Sequence, residues 1–380
     1  MATQGYGSPE VERAYRRAWE LCDQVGDQKE QFKILLGLRT YYHVTGSLDV
    51  GYEIGEQCLA LAQRLEDNAF LATAHMMLSH TLYYQGELLA ARVHVEQAIA
   101  FCELLQRNET LDVWSIDVGV FSLGLAAWIL WPLGYSRQGF ERAQQGIELA
   151  SALTHPPSTE QILMSTAIFH QCCRDVNAAR ERAEAAMVIS KEKRFNMRLA
   201  MGMVIRGWAL ARQGQVTEGM THIRQGIRDY QSTGAKMSLT FFLSILAEEL
   251  WRQGEQYDGL NVLHEAFDLM EKVGEGWRKA ELHRLKGEMR LAQSVDNQQE
   301  AERCFSQALT IARRQQAKSW ELRAAMSLAR LWQTQGKRDE ARNLLSPIYH
   351  WFTEGFDTTD LQDAKQLLDE LSMEIKFPSG

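Results

Sequence analysis

The chain has 380 residues, 45% apolar and 24% charged, with 49 acidic against 41 basic side chains and a formal net charge of −8. That is the composition of a folded globular chain and excludes the disordered, collagen-like and disulfide-scaffold classes. Only six prolines, against a usual share of roughly 5%, favour long helices over a turn-rich β fold, and a pI near 5.8 leaves no broad positive field for nucleic acid.

At the start, Met1 to Glu10 has no basic segment followed by an apolar one, so no secretory leader is expected. The six cysteines (Cys22, Cys58, Cys102, Cys172, Cys173, Cys304) are scattered without zinc-ligand spacing. The simplest expectation is a reduced cytoplasmic protein without metal or cofactor. Ser8-Pro9-Glu10 reads as an N-cap with proline at the first helical position, opening a helix over 9–25.

From residue 28 to 353 one pattern recurs: an apolar-periodic run, a turn, then a second run with small residues at fixed offsets. The turns include Leu82-Tyr83-Tyr84-Gln85-Gly86, Leu210-Ala211-Arg212-Gln213-Gly214 and Leu250-Trp251-Arg252-Gln253-Gly254. Five residues after each turn glycine (Gly46, Gly86, Gly134, Gly214, Gly254, Gly336) stands a small residue. With Ala179 and Ala301 from two glycine-less turns, the series is Gly51, Ala91, Gly139, Ala179, Gly219, Gly259, Ala301 and Ala341, in steps of 40, 48, 40, 40, 40, 42 and 40. Such self-similarity marks a repeat architecture of eight helix-turn-helix units. Glycine accepts the left-handed conformation that ends the first helix, and a small residue one turn into the second helix lets the backbones approach. The step of 48 places extra residues within 102–120, with a loop near Asn108-Glu109-Thr110.

Val118 to Ser136 is 19 residues without a charge, close to the roughly 20 that span a membrane. Its three glycines, its proline and its place in the repeat make it a buried helix instead, and no membrane contact is expected. Ser158 with Gln161 fits a capping box after His155-Pro156-Pro157. A last helix over 357–374 is polar enough to cap the stack. The chain is thus expected to be a single domain.

At these residues the chain resembles tetratricopeptide repeats: Leu78, Ser79, Tyr84, Gly86, Ala91, Val95 and Ala98 of the second unit match that pattern, with a period longer than its 34 residues. The resemblance implies an all-α, TPR-like α-solenoid, a right-handed superhelix of about eight helix pairs with extra N- and C-terminal helices. At 207–214, 280–287, 313–330 and 346–361 it is similar to the C-terminal arrays of bacterial signalling proteins of the STAND type, which carry predicted ATPase and adenylate/guanylate cyclase-like domains. It departs from them at 116–120, where such arrays show a proline-glycine turn. No GxxxxGK[ST] loop occurs; Gly336-Lys337 is followed by Arg338. The chain therefore reads as a free-standing array or part of a longer protein.

Catalytic constellations are absent from the sequence: His170-Gln171-Cys172-Cys173 diverges around a helix, and no HExxH, GxSxG or EF-hand pattern is present. The chain is expected not to be an enzyme. In this repeat type the first helix of each unit lines the concave side. Positions counted back from the turn glycine give His80 and Tyr83, Trp128 and Trp131, Met164 and Ile168, Trp208, Trp251 and Arg330 as inward residues, with Arg252 and Arg284 adding charge towards the C-terminus. Large aromatics flanked by arginines are what binding centres use, so the concave groove is the expected site for a peptide or protein partner, such as a linked or separate ATPase or cyclase domain. A receptor for a small effector is the alternative, and the plainer reading of the same stripe is that these aromatics only pack first helices together. The basic clusters at 180–198 and 313–342 read as solvated faces.

Overall fold

The computed structural model describes residues 7–105, 112–113 and 116–373. Among the described residues the fold is an all-α, tetratricopeptide-like solenoid. Helix α1 (Pro9–Val25) precedes eight antiparallel pairs: α2/α3 (Gln28–Thr45, Leu48–Leu65), α4/α5 (Asn68–Gln85, Leu88–Leu104), α6/α7 (Val118–Leu130, Ser136–Leu153), α8/α9 (Pro156–Cys172, Val176–Lys193), α10/α11 (Asn196–Arg212, Val216–Ser232), α12/α13 (Leu239–Arg252, Gln256–Val273), α14/α15 (Lys279–Gln293, Gln298–Arg314) and α16/α17 (Lys318–Thr334, Arg338–Tyr349). Helix α18 (Thr359–Ser372) closes the stack.

The small residues hold the pairs together as their spacing requires. All eight are buried, and at Gly219 a Cβ would lie 2.5 Å from the Gly207 carbonyl oxygen and 2.6 Å from the Ala211 nitrogen. Gly46, Gly86 and Gly134 take the left-handed conformation at φ 83°, 84° and 94°. At the glycine-less fourth turn Arg174 supplies it at φ 64°, and the seventh turn is a short 3-10 segment, Val295–Asn297.

Two local expectations change. The capping box at Ser158 does not form: α8 starts earlier, at Pro156, and the buried Ser158 hydroxyl instead accepts from the Asp117 N–H at 2.9 Å. That bond anchors the long third unit, whose insertion contains a two-residue antiparallel ladder, β1 (Asp112–Val113) with β2 (Ile116–Asp117). Asp117 Oδ1 then caps α6 by accepting from the Val120 N–H at 2.9 Å. The loop expected near Asn108 lies outside the described residues. Ser8 behaves as expected, capping α1 by accepting from the Glu10 N–H. No helix among the described residues is long and apolar enough to cross a membrane; α6 is buried on all sides except at Trp128.

The superhelix winds back onto itself. The turn of pair one meets the loop before pair six, where the Val44 carbonyl accepts from the Lys236 N–H at 2.9 Å. Pair two meets the loop before pair seven, where the Tyr84 carbonyl accepts from the N–H groups of Gly276 at 2.6 Å and Trp277 at 3.3 Å. Pair three meets the first turn of α16 in pair eight through the Ser319 N–H and the Pro132 carbonyl at 3.0 Å. Pair four meets α18 through Arg174, bonded to Asp360 at 3.2 Å and Asp363 at 2.7 Å. Successive superhelical turns therefore stack edge to edge, the C-terminal ends of the early first helices against the segments that open the late ones.

Candidate functional site

The inner face divides into an aromatic axis and a charged ladder. In the axis, the Trp131 ring meets the Trp320 ring edge-on at 4.6 Å, and Tyr83 lies 5.1 Å from Trp277, which neighbours Phe241 at 5.6 Å. The Trp131–Trp320 and Tyr83–Trp277 contacts join an early pair to a late one, so this cluster is the packing interior between superhelical turns.

That placement decides what the sequence-predicted residues do. Tyr83, Trp131, Met164, Ile168 and Trp208 are each 2–4% exposed; a later superhelical turn covers Tyr83 and Trp131 through Trp277 and Trp320, and in this closed form all five offer a ligand almost no surface. His80 is also buried, its ring 4.2 Å from His43 and 5.1 Å from Phe121. Trp128 is half-buried and donates its indole N–H to the Ser165 carbonyl at 2.8 Å. Trp251 is half-buried, and Arg252 and Arg330 are exposed.

The charged ladder runs through the first helices of the C-terminal half. Arg212 donates to Glu248 at 2.7 Å and Glu249 at 2.6 Å. Arg284 binds Glu281 through two bonds of 2.8 Å and reaches Glu288 at 3.3 Å. Arg323 binds Asp360 at 2.7 Å, donates to the Cys172 carbonyl at 2.6 Å and stacks 4.9 Å from the Trp131 ring. Burial opposes ionisation of Glu248, yet Arg212 and Arg284 hold it down at about 2; Arg284, in turn, is kept firmly charged despite its burial, chiefly by Glu281. Each of these cations has its own carboxylate, as buried charges require.

Arg278 breaks that rule. It is 3% exposed, sits against the Phe241, Trp277 and Trp320 rings, and its Nε and Nη1 have no hydrogen-bond partner. Nearby Glu275, bonded to the Trp277 indole at 2.7 Å, has its carboxyl pushed up to about 7 by burial. Register on the turn glycines could not find Arg278, because it lies in the loop between units, outside the repeat. Arg174 and Asp360 were missed because they pair across superhelical turns, and Arg212 because its partners Glu248 and Glu249 lie on the first helix of the next pair.

Histidine and cysteine chemistry does not converge. His170 Nδ1 faces Asp175 at 3.2 Å, while burial raises the Cys172 thiol to about 11 and holds Cys173 well above the ordinary thiol value. Among the described residues no group of three or more side chains is placed to hold a metal.

The closed superhelix leaves one edge bare. Around Gly46, Gly86 and Gly134 later parts of the chain pack within van der Waals reach, whereas nothing lies within 4 Å of a Cβ built at Gly214, Gly254 or Gly336. Leu48 and Leu88, two residues after the covered glycines, are 2% and 1% exposed. On the bare edge Val216 is 36%, Tyr257 79% and Val295 74% exposed.

No family model matches the chain. A curated relative, the uncharacterized protein R02095 of Rhizobium meliloti (strain 1021), is 23% identical over 174 residues; the match spans 46% of this chain and only 17% of that protein. Among solved structures, a Rap protein complexed with competence and sporulation factor has a TM-score of 0.61 at 10% identity, covering 95% of this chain and 96% of that one. The Rap conjugation gene regulator of plasmid pLS20, in complex with the Phr* peptide, gives 0.53 at 9% identity, covering 96% and 99%. A human IFIT1 dimer with m7Gppp-AAAA gives 0.51 at 12% identity, covering 95% and 77%. At such identities the likeness is one of fold.

Proposed function

We propose that the protein is a non-catalytic interaction and sensor scaffold that binds a peptide or protein partner, with the bare edge of its last four pairs as the docking surface. The observation that carries this reading is the contrast between the two edges. The chain covers its own early turns with backbone bonds and apolar packing, but leaves Val216, Tyr257 and Val295 in water, with Arg252 exposed at the turn that carries Tyr257. Exposed aromatics and aliphatics with an adjacent arginine are the material of interface centres. Trp251, half-buried next to Arg252, and Arg330 belong to the same end of their helices and would form the inner rim.

The two Rap structures contain competence and sporulation factor or the Phr* peptide in a fold like this one, which supports a peptide or protein as partner. The signalling setting, with a linked or separate ATPase or cyclase-like domain in a bacterial cytoplasm, rests on the resemblance at 207–214, 280–287, 313–330 and 346–361. A curated relative much longer than the matched stretch suits an array that serves a larger protein.

The test is crosslinking mass spectrometry of the chain in host lysate, beside a Tyr257→Asp/Val295→Asp variant verified as folded by circular dichroism. Crosslinks from one partner onto residues 213–216, 253–257 and 294–298, lost in the variant, are expected. A partner retained at full yield by the variant would sink the edge as its site. The alternative, a receptor for a small effector, is favoured by the unpartnered polar atoms at the axis.

A further inference from the structure

We infer that Arg278 is the recognition point for an organic carboxylate held at the axis of the superhelix. This stands apart from the partner surface above and from the residues that form it.

The argument begins with charge. Arg212, Arg284 and Arg323 each bond a carboxylate, whereas Arg278 forms no ion pair among the described residues. A guanidinium cannot discharge itself at neutral pH, so a buried, unmatched one carries an uncompensated desolvation penalty. Nearby Glu275, whose carboxyl feels the Arg278 charge, does not bond it and has its own Oε2 unpartnered. The Trp320 indole N–H, 1% exposed and on the ring stacked 5.3 Å from Arg278, is a further donor without an acceptor. Three N–H donors in one buried neighbourhood lack an acceptor, and a carboxylate supplies acceptors together with the missing negative charge.

The surroundings select the kind of anion. The guanidinium lies 4.7 Å from the Phe241 ring and 5.3 Å from Trp277, so an anion reaching it must lose its water against apolar faces. A carboxylate on a flat apolar body loses less hydration there than phosphate. The loop that carries Arg278 is held by the Tyr84 carbonyl and by the Gln315 side-chain amide donating to the Gly276 carbonyl at 2.9 Å, and a ligand has to displace it to enter.

The full chain is titrated at constant ionic strength with sodium benzoate, with a short peptide ending in phenylalanine with a free carboxylate, with its C-terminal amide and with sodium phosphate, reading tryptophan fluorescence and Tm. A saturable fluorescence change with a rise in Tm is expected from benzoate or from the acid peptide, and none from the amide or phosphate. Benzoate activity assigns the site to small acids; activity of the acid peptide alone assigns it to a chain terminus. Arg278→Met, which keeps most of the volume, is expected to abolish the response while leaving the ligand-free Tm equal or higher. Absence of any saturable response, or a response that survives Arg278→Met, overturns the inference, as does a ligand-free Tm lowered by several degrees, since the guanidinium is then a satisfied structural group. Should Arg278→Met not fold, Trp320→Phe carries the test: a loss of affinity of at least about threefold supports the site and unchanged affinity overturns it.

Discussion

Glu275 and the His43/His80 pair give the molecule two opposed responses to pH. Burial pushes the Glu275 carboxyl up to about 7, so the folded state holds a proton that the unfolded chain releases near 4.5, and stability falls as pH rises between those values. His43 and His80 are driven well below 6.5, first by burial and then by neighbouring positive charge. They fold neutral, so stability falls as pH drops below about 6.5, where the unfolded chain takes up protons. Substitution separates the two. Relative to the parent chain, Glu275→Gln should gain about 1 kcal/mol more at pH 8 than at pH 6, read from urea midpoints, since each pH unit is worth about 1.4 kcal/mol for one group. His43→Gln/His80→Gln should flatten the acid limb below pH 6.5 and leave the region above it unchanged. The inward direction of His80, Tyr83, Trp131 and Trp208 was legible from their spacing before the turns. What they face was not, because a helical period reports which side is apolar and cannot say whether solvent, ligand or another turn of the same chain covers it.

Within a pair, the same repeat position carries different loads. At Gly219 an added Cβ meets backbone at 2.5 Å, while at Gly51 the nearest atoms lie 3.8 Å and 3.9 Å away. Gly219→Ala should therefore destabilise by about 1–3 kcal/mol through overpacking, whereas Gly51→Ala should be neutral or stabilise by up to about 1 kcal/mol, the helix-propensity gain. Thermal and urea unfolding of the two single variants checks the opposite signs. The eight pairs were legible because turn glycines and small residues are local requirements of a tight hairpin. The third pair was read less well: Ser158 has the sequence of a cap but spends its hydroxyl on Asp117, a bond to a distant segment that no local pattern encodes.

The seam between superhelical turns governs the whole molecule. Gly276 sits so close to pair two that a Cβ would lie 2.3 Å from the Gln85 carbonyl oxygen. Gly276→Ala should break that docking and yield a larger radius of gyration by small-angle X-ray scattering, with tryptophan emission shifted to the red as the axis takes up water. Gly254→Ala, at a turn on the bare edge, should cost only the left-handed strain of about 1–2 kcal/mol and leave the scattering profile unchanged. An open array stores its stability in nearest neighbours, so it can gain or lose a unit and can fray from either end. Here Val44 with Lys236, and Tyr84 with Gly276, tie together positions roughly 190 residues apart. Contacts of such sequence separation slow folding and make the two halves report on each other. An inserted or deleted repeat between them would put every later loop opposite the wrong carbonyl, so the length of this array is fixed by its own circumference.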